Sequence, residues 1–214
     1  MYTEFHGELH HDKYVDQELR EYFPDYSYKG VFFDVGAFDP IDISNSHHFH
    51  MNGWECYEFE AIPENANNLL KHRQHVFNYA ISDTDLDEVQ FTVVHSNGIE
   101  GRTASYSAID VSMEYLRIFG WNPMNRAEYI KVPQRKLDAI IQESIPKLQR
   151  IDIMSLDIEG GELNALKGLD IAKYKPRVIV LENASHSNIF LEYLQPFGYR
   201  LDKSNDYNYF FVAE

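Results

Sequence analysis

The chain has one cysteine, Cys56, in 214 residues. A lone thiol builds neither an internal disulfide framework nor a cysteine-rich zinc site. No apolar run approaches the roughly 18 residues that a membrane-spanning helix needs. The opening MYTEFHGELHHDKYVDQEL has no apolar core flanked by basic residues, so it does not read as a secretory signal. These absences set the expectation of a soluble, cytoplasmic protein. Basic charge is also scarce, with 19 Lys and Arg against 34 Asp and Glu and a net charge of -15. A protein that grips nucleic acid or an anionic membrane needs a basic surface, so neither is an expected partner. Internal repeats and low-complexity linkers are missing too. What the chain does have is 44% apolar and 14% aromatic residues, enough for the core of one α/β domain over residues 1–214.

Helical spacing over DKYVDQELREYF places a helix within an N-terminal segment, 1–29. GVFFDVGA is short and almost continuously apolar, the pattern of a strand covered on both faces. NSHHFHMNG reads as a short helix stopped by Gly53, WECYEFEA as the next strand, and PENANNLLKHR as a helix opening on Pro63. HVFNYAIS is expected to be a third strand, and the alternating DEVQFTVVH an added one. Residues 96–126 are irregular and aromatic, a long connection of the kind that carries function, and are assigned to acceptor recognition. Tyr106, Tyr115 and Trp121 are suited to stacking on a flat ligand face there, with ordinary packing as the alternative. YIKVP, a helix at KLDAIIQES, a strand at IDIMSLDIEG, a helix at GGELNALKGL, a strand at RVIVLENA and a helix at NIFLEYLQPFGY follow. A C-terminal hairpin closes the chain. The alternation predicts a doubly wound, mostly parallel sheet with an antiparallel end.

Ligands of such sheets bind beyond the carboxyl ends of the strands. Here those ends carry acids: Asp34 with Gly36, then Glu58 and Glu60, then Asp157 and Glu159, then Glu182 with His186 nearby. The third strand is expected to end in Ala80, Ile81 and Ser82. A pyrophosphate wants spaced glycines and a free helix N-terminus. The loop GAFDPIDISN has one glycine, and Asp39 and Asp42 would repel phosphate. A single Asp after a strand is often only a helix cap. Acids at four strand ends instead suit a ligand with positive charge and a ribose, which S-adenosylmethionine has. Glu60 stands where a ribose-hydroxyl acceptor is expected, and Gly36 would let backbone approach the methionine moiety.

The blocks GVFFDVGAFDP (30–40), ISNS (43–46), GWECYEFEAIPENANNL (53–69), NYAISD (78–83), KLDAI (136–140), IDIMSLDIEGGELNALKGLD (151–170) and KPRVIVLEN (175–183) stand in a characteristic order and spacing. With HDKYV at 11–15, the chain resembles the FkbM family of S-adenosylmethionine-dependent methyltransferases over nearly its whole length. The resemblance implies a Rossmann-like class I methyltransferase fold that O-methylates a hydroxyl of a sugar, a glycan or a glycosylated small molecule. Carried over residue by residue, it implies a cofactor site of Asp34, Gly36, Ala37, Phe38, Glu60, Ala61, Ile62 and Ser82, with Ala80 and Ile81 flanking the adenine. Ser44 and Asn45 match the family's Ser-Asn pair and are expected at the methionine carboxylate, with Asp12 at the same end. The chain departs from the family at His11 and Ala61, and at Phe38-Asp39-Pro40, which alters detail of the pocket but keeps its acids.

Methyl transfer is an in-line displacement, so positioning supplies much of the rate. An alcohol is a weak nucleophile at neutral pH, and a base beside it contributes about 10²–10⁴-fold. Asp157 is the expected base and also a cofactor neighbour, with a helix cap over GGELNAL as the alternative. Glu159 and Glu182 would raise its pKa or orient a sugar. His186 is the rival base, because imidazole titrates near neutrality. The histidines at 47, 48 and 50 are read as packing rather than as metal ligands. Asp157 and Glu182 with an acceptor diol could hold a divalent cation through oxygens, a possibility the sequence leaves open. Two other functions stay open as well: a silent scaffold of the same fold, and an RNA methyltransferase.

Overall fold

The computed structural model describes residues 1–95, 108–109 and 126–214. Tyr106, Tyr115 and Trp121, expected at an acceptor, lie outside the described residues. The centre is a seven-stranded sheet in the order β12-β13-β11-β10-β3-β4-β5. Its parallel strands are β3 (Val31–Val35), β4 (Glu55–Phe59), β5 (His75–Phe77), β10 (Ile153–Leu156) and β11 (Val178–Glu182). The antiparallel end is the hairpin of β12 (Tyr199–Asn205) and β13 (Asn208–Ala213). The chain winds outward from β3 to β5 on one side and from β10 to β11 on the other. The switch point therefore lies between β3 and β10.

The apolar strand runs have the double burial that the sequence predicts. Alternate residues of β3 point to opposite faces: Phe32 enters a core with Ile153, Val180 and Phe210, while Phe33 and Val35 enter one with Met154, Leu156 and Phe211. Burying each such side chain contributes roughly 1.5–3 kcal/mol. The first face is covered by α1 (Val15–Glu21) and α2 (His47–Met51). The second is covered by α4 (Leu137–Ser144), α5 (Glu162–Lys167), α6 (Ile171–Tyr174) and α7 (Ile189–Leu194). Before α1 the N-terminal segment forms a small hairpin, β1 (Leu9–His10) with β2 (Lys13–Tyr14), rather than continuous helix. α3 (Pro63–Leu69) begins on Pro63 as expected. Among the described residues no helix is long and apolar enough to cross a membrane.

One expectation is corrected. HVFNYAIS is not a single strand: β5 stops at Phe77, and β6 (Ala80–Ile81) pairs in parallel with β9 (Arg126–Arg135) in a second sheet, β6-β9-β7-β8. That sheet also contains β7 (Leu86–His95), antiparallel to β9, and β8 (Ala108–Ile109). The break has a local cause. The Asn78 side chain donates to the carbonyls of Glu60 and Ala61 at 2.8 and 2.9 Å, and the Tyr79 N–H turns back onto the Phe77 carbonyl at 3.1 Å. Those bonds fold the chain sharply and send the next strand elsewhere.

The tips of β3 and β10 approach closely. Gly36 sits at φ 90°, and a Cβ there would lie 1.8 Å from the Asp157 carbonyl oxygen. Protein packing thus by itself requires glycine at this position. Gly53, which ends α2, has a similar φ of 79° but only the Lys29 side chain at 3.8 Å beside it. Gly53→Ala is therefore expected to cost about 1–2 kcal/mol, the ordinary penalty of a left-handed residue. Gly36→Ala should cost substantially more, because backbone must also move. Denaturant unfolding of both variants measures the difference, and equal losses would contradict the close approach.

Candidate active site

The tip of β10 carries Asp157, whose N–H donates to the Val35 carbonyl at 2.9 Å and so fixes it beside the β3 tip. The turn that follows holds Glu159 at φ 61° and Gly160 at φ 101°. Glu162 folds back into that turn, where its Oε1 accepts the N–H groups of Ile158 and Gly160, both at 3.0 Å. The cap position of α5 is Gly161, with no side-chain cap. Asp157 is therefore not a helix cap, and its carboxylate is left to the rim. Across from it, Glu182 ends β11. Asp157, Glu159 and Glu182 each place an oxygen within 4.8 Å of the others. Oxygens roughly 2.3–2.6 Å from a shared calcium ion span a similar distance, so the trio has a spacing that could hold a divalent cation.

The surroundings make these acids weak. Asp157 is pushed up to about 8, first by loss of solvent and then by Glu8, Glu162 and Asp34. Glu159 is raised by burial, then by Glu162 and Glu8. Glu182 is raised by burial, then by Asp157, Glu159, Glu162 and Glu8. The neighbours named here that raise the trio are themselves carboxylates.

Glu8 and Glu162 are the members that sequence reasoning missed. Glu162 stood inside the IDIMSLDIEGGELNALKGLD block and could have been singled out. Glu8 lay outside any strand end. It is held by a clasp between the chain termini: its Oε2 accepts from Asn208 Nδ2 at 3.0 Å and lies 2.6 Å from His10 Nε2. Asp206 in turn meets His10 Nδ1 at 3.3 Å and His11 Nε2 at 3.0 Å.

The β3 and β4 tips form a second, deeper group. Asp34 and Glu58 are buried side by side, and burial raises both carboxyls. Glu58 receives Arg73 Nε at 3.0 Å and Ser46 Oγ at 3.1 Å. Asn45 donates to Ser155 Oγ at 3.1 Å, and Ser155 is registered against Asp34. Asp34 Oδ2 and Asn45 Oδ1 are buried acceptors without a hydrogen-bond partner among the described residues. Ser44 is buried nearby, its hydroxyl 3.3 Å from Ser46 Oγ.

Glu60 closes the β4 tip. Its oxygens accept the Phe38 N–H at 2.9 Å and the Ile62 N–H at 2.7 Å. Burial pushes its pKa up to about 7 against those bonds. Ala37 is buried with its N–H on the Phe59 carbonyl. Ile62 and Ala80 pack in one apolar cluster with Phe91, Val93 and Val132, and Ala61 lies against it. Ile81 joins the main core instead, and the Ser82 backbone carbonyl lies against Gly168.

Of the four catalytic candidates, His186 does not join the carboxylate trio. His186 is exposed, its Nδ1 3.0 Å from the Tyr209 hydroxyl and its ring over Tyr207. Asp12 is exposed in the turn between β1 and β2. Gly36 faces the Asp157 backbone. The histidines of α2 pack as expected: His47 bonds the Pro40 carbonyl and His48 the Glu4 carbonyl. Burial lowers both, His47 to about 4, so they stay neutral.

Fold and site together define a mixed α/β protein with an acid-lined ligand edge at its switch point. The sequence profile of the methyltransferase FkbM domain matches residues 34–207. The chain belongs to the FkbM methyltransferase domain family. A crystal structure of methyltransferase FkbM from Methylobacillus flagellatus KT is similar at a TM-score of 0.47 and 15% identity, over 86% of this chain and 43% of that one. This chain thus spans less than half of that protein's length. No curated protein matches.

The raised carboxyls give a pH dependence of stability. A carboxyl that holds its proton more tightly when folded stabilises the fold at low pH, and the contribution fades as pH rises from its unfolded value towards its folded one. With ordinary values near 4 and Asp157 raised to about 8, the unliganded protein should lose stability steadily over that interval. Glu182→Gln removes one member and should flatten the decline. Melting temperatures across the range measure both; a flat or rising profile would contradict the crowding.

Proposed function

We propose that the protein is a Rossmann-like class I methyltransferase that uses S-adenosylmethionine to O-methylate a hydroxyl of a sugar, a glycan or a glycosylated small molecule. The observation that carries the reading is the carboxylate edge of the sheet at the switch point, where Asp157, Glu159 and Glu182 come together with their carboxyls raised by burial and by neighbouring acids. The residues present fit the cofactor. Glu60 at the β4 tip would take the ribose hydroxyls, and the apolar cluster of Ile62 and Ala80 would take the adenine. The orphan acceptors Asp34 Oδ2 and Asn45 Oδ1 match a donor such as the α-ammonium group. When bound, the cofactor supplies an electrophilic methyl on a sulfonium centre.

Asp157 then has the role of base. Its pKa, raised to about 8, lies near neutrality, where a general base works best. It would accept the proton of the acceptor hydroxyl as the oxygen attacks. Burial, Glu8, Glu162 and Asp34 hold that pKa up, while Glu159 and Glu182, within 4.8 Å, offer oxygens to an acceptor hydroxyl or to a cation bridging it. His186 is held on the C-terminal hairpin, which favours Asp157 over it.

Calorimetry should show S-adenosylmethionine and S-adenosylhomocysteine binding at one site. Asp157→Asn should leave S-adenosylhomocysteine affinity within a few-fold, and lower turnover by about 10²–10⁴ on an accepted substrate. Binding without turnover over a broad panel of sugars and glycans would point to a scaffold. A salt-sensitive association with RNA would favour an RNA substrate. Absence of any cofactor binding would overturn the proposal.

A further inference from the structure

Residues 2–11 cross the site as a strap. At one end, just past α2, the Tyr2 N–H donates to Asn52 Oδ1 at 3.0 Å and the Tyr2 carbonyl accepts from Asn52 Nδ2 at 2.9 Å. The Phe5 ring stacks on His48 of α2, 4.4 Å between centroids. The His6 N–H then donates to Asp16 Oδ2 at 2.8 Å. Gly7 is buried so close to the loop between β3 and α2 that a Cβ on it would lie 2.6 Å from Asn45 Oδ1 and 2.9 Å from the Asp16 backbone nitrogen. The Glu8 carbonyl accepts the Val15 N–H at 2.9 Å. Beyond it the Glu8 side chain meets Asn208, and His10 and His11 meet Asp206, at the tip of the C-terminal hairpin. Asn208 is registered against Glu182, so the strap ends beside the carboxylate rim.

Three features of this strap bear on its role. It covers part of the group assigned to the cofactor: Asn45 is buried, its Oδ1 lacks a partner among the described residues, and Gly7 lies against that oxygen. A ligand donor approaching Asn45 Oδ1 therefore meets the strap. Second, the strap is held mainly by hydrogen bonds and ion pairs. Among the described residues none before Val15 belongs to an apolar core. A segment attached in this way opens locally at much lower cost than the sheet beneath it. Third, the fit at Gly7 is tight. Any side chain there would meet Asn45 and the backbone of Asp16, so the strap could not seat in the same place.

We propose that residues 2–11 form a strap that opens to admit S-adenosylmethionine and seats over the methionine end of the bound cofactor, with Gly7 the position that lets it seat. The proposal rests on the methyltransferase reading for the identity of the ligand. The amides of His6 and Val15 report the seated state, because each donates across the join between the strap and α1. Their hydrogen exchange is followed by NMR with and without S-adenosylhomocysteine, and the affinity for S-adenosylhomocysteine is measured by calorimetry.

Saturating S-adenosylhomocysteine is expected to slow exchange of both amides at least about tenfold, because it binds the seated state. Gly7→Val should speed that exchange and weaken S-adenosylhomocysteine at least about tenfold. Phe5→Ala loosens the strap at a half-buried position on α2, outside the apolar cores and away from Asn45, so the fold is kept. It should move exchange and affinity in the same directions by a few-fold, and Phe5→Tyr should restore both. Exchange that S-adenosylhomocysteine leaves unchanged, or unchanged affinity in a variant whose strap amides exchange faster, would each overturn the strap and leave the cofactor reading standing. A protein that binds no S-adenosylhomocysteine would overturn the methyltransferase reading and the role of the strap with it.

Discussion

The site depends on one close approach: the backbone of Gly36 at the tip of β3 against the carbonyl of Asp157 at the tip of β10. With no side chain between them, the two halves of the sheet meet at the switch point without a spacer. The consequence is electrostatic. Asp34, Asp157, Glu182 and the acids of the turn after β10 share a space too small and too dry for all of them to ionise comfortably. Burial raises each in turn, and repulsion from neighbouring acids adds to the rise at Asp157, Glu159 and Glu182. A protein that keeps such a group intact holds acceptor-rich, weakly acidic ground ready for a cation, a hydroxyl or both.

The same arrangement divides the rim into two regions. On the β3 and β4 side the carboxylates are deep and already bonded, Glu58 by Arg73 and Ser46, Glu60 by two backbone N–H groups. On the β10 and β11 side Asp157, Glu159 and Glu182 are only part-buried, and Glu182 borders a cavity. In the proposed function the first region would seat the cofactor and the second would meet the acceptor, with Asp157, the proposed base, at the boundary.

Much of this was legible in the sequence, for identifiable reasons. Runs such as VFFDV and IMSL are apolar almost throughout because both faces of the sheet are covered, so strand positions and their acidic ends could be read directly. Gly53 and Pro63 punctuate helices as their backbone chemistry requires. The second sheet was not legible. Asn78 looks like any polar residue within HVFNYAIS, and only its bonds to the Glu60 and Ala61 carbonyls break the strand there. Glu8 was invisible for a different reason: it reaches Asp157 only through a clasp between opposite ends of the chain, formed with His10 and Asn208. His186 illustrates the converse. Its position after β11 suggested a base, but the turn at Asn183 directs it to Tyr209. Local pattern locates elements well; which side chains then share a space is settled by long-range contacts.

The central claim is that the acids at the strand tips crowd one another enough to retain protons near neutrality. Carboxyl-carbon NMR of the ¹³C-labelled, unliganded protein tests it directly, because each Asp and Glu reports its own titration. The account predicts that Asp157 titrates at about 8, with Glu159 and Glu182 also displaced upward. Midpoints near the ordinary value of about 4 for these three residues would contradict it.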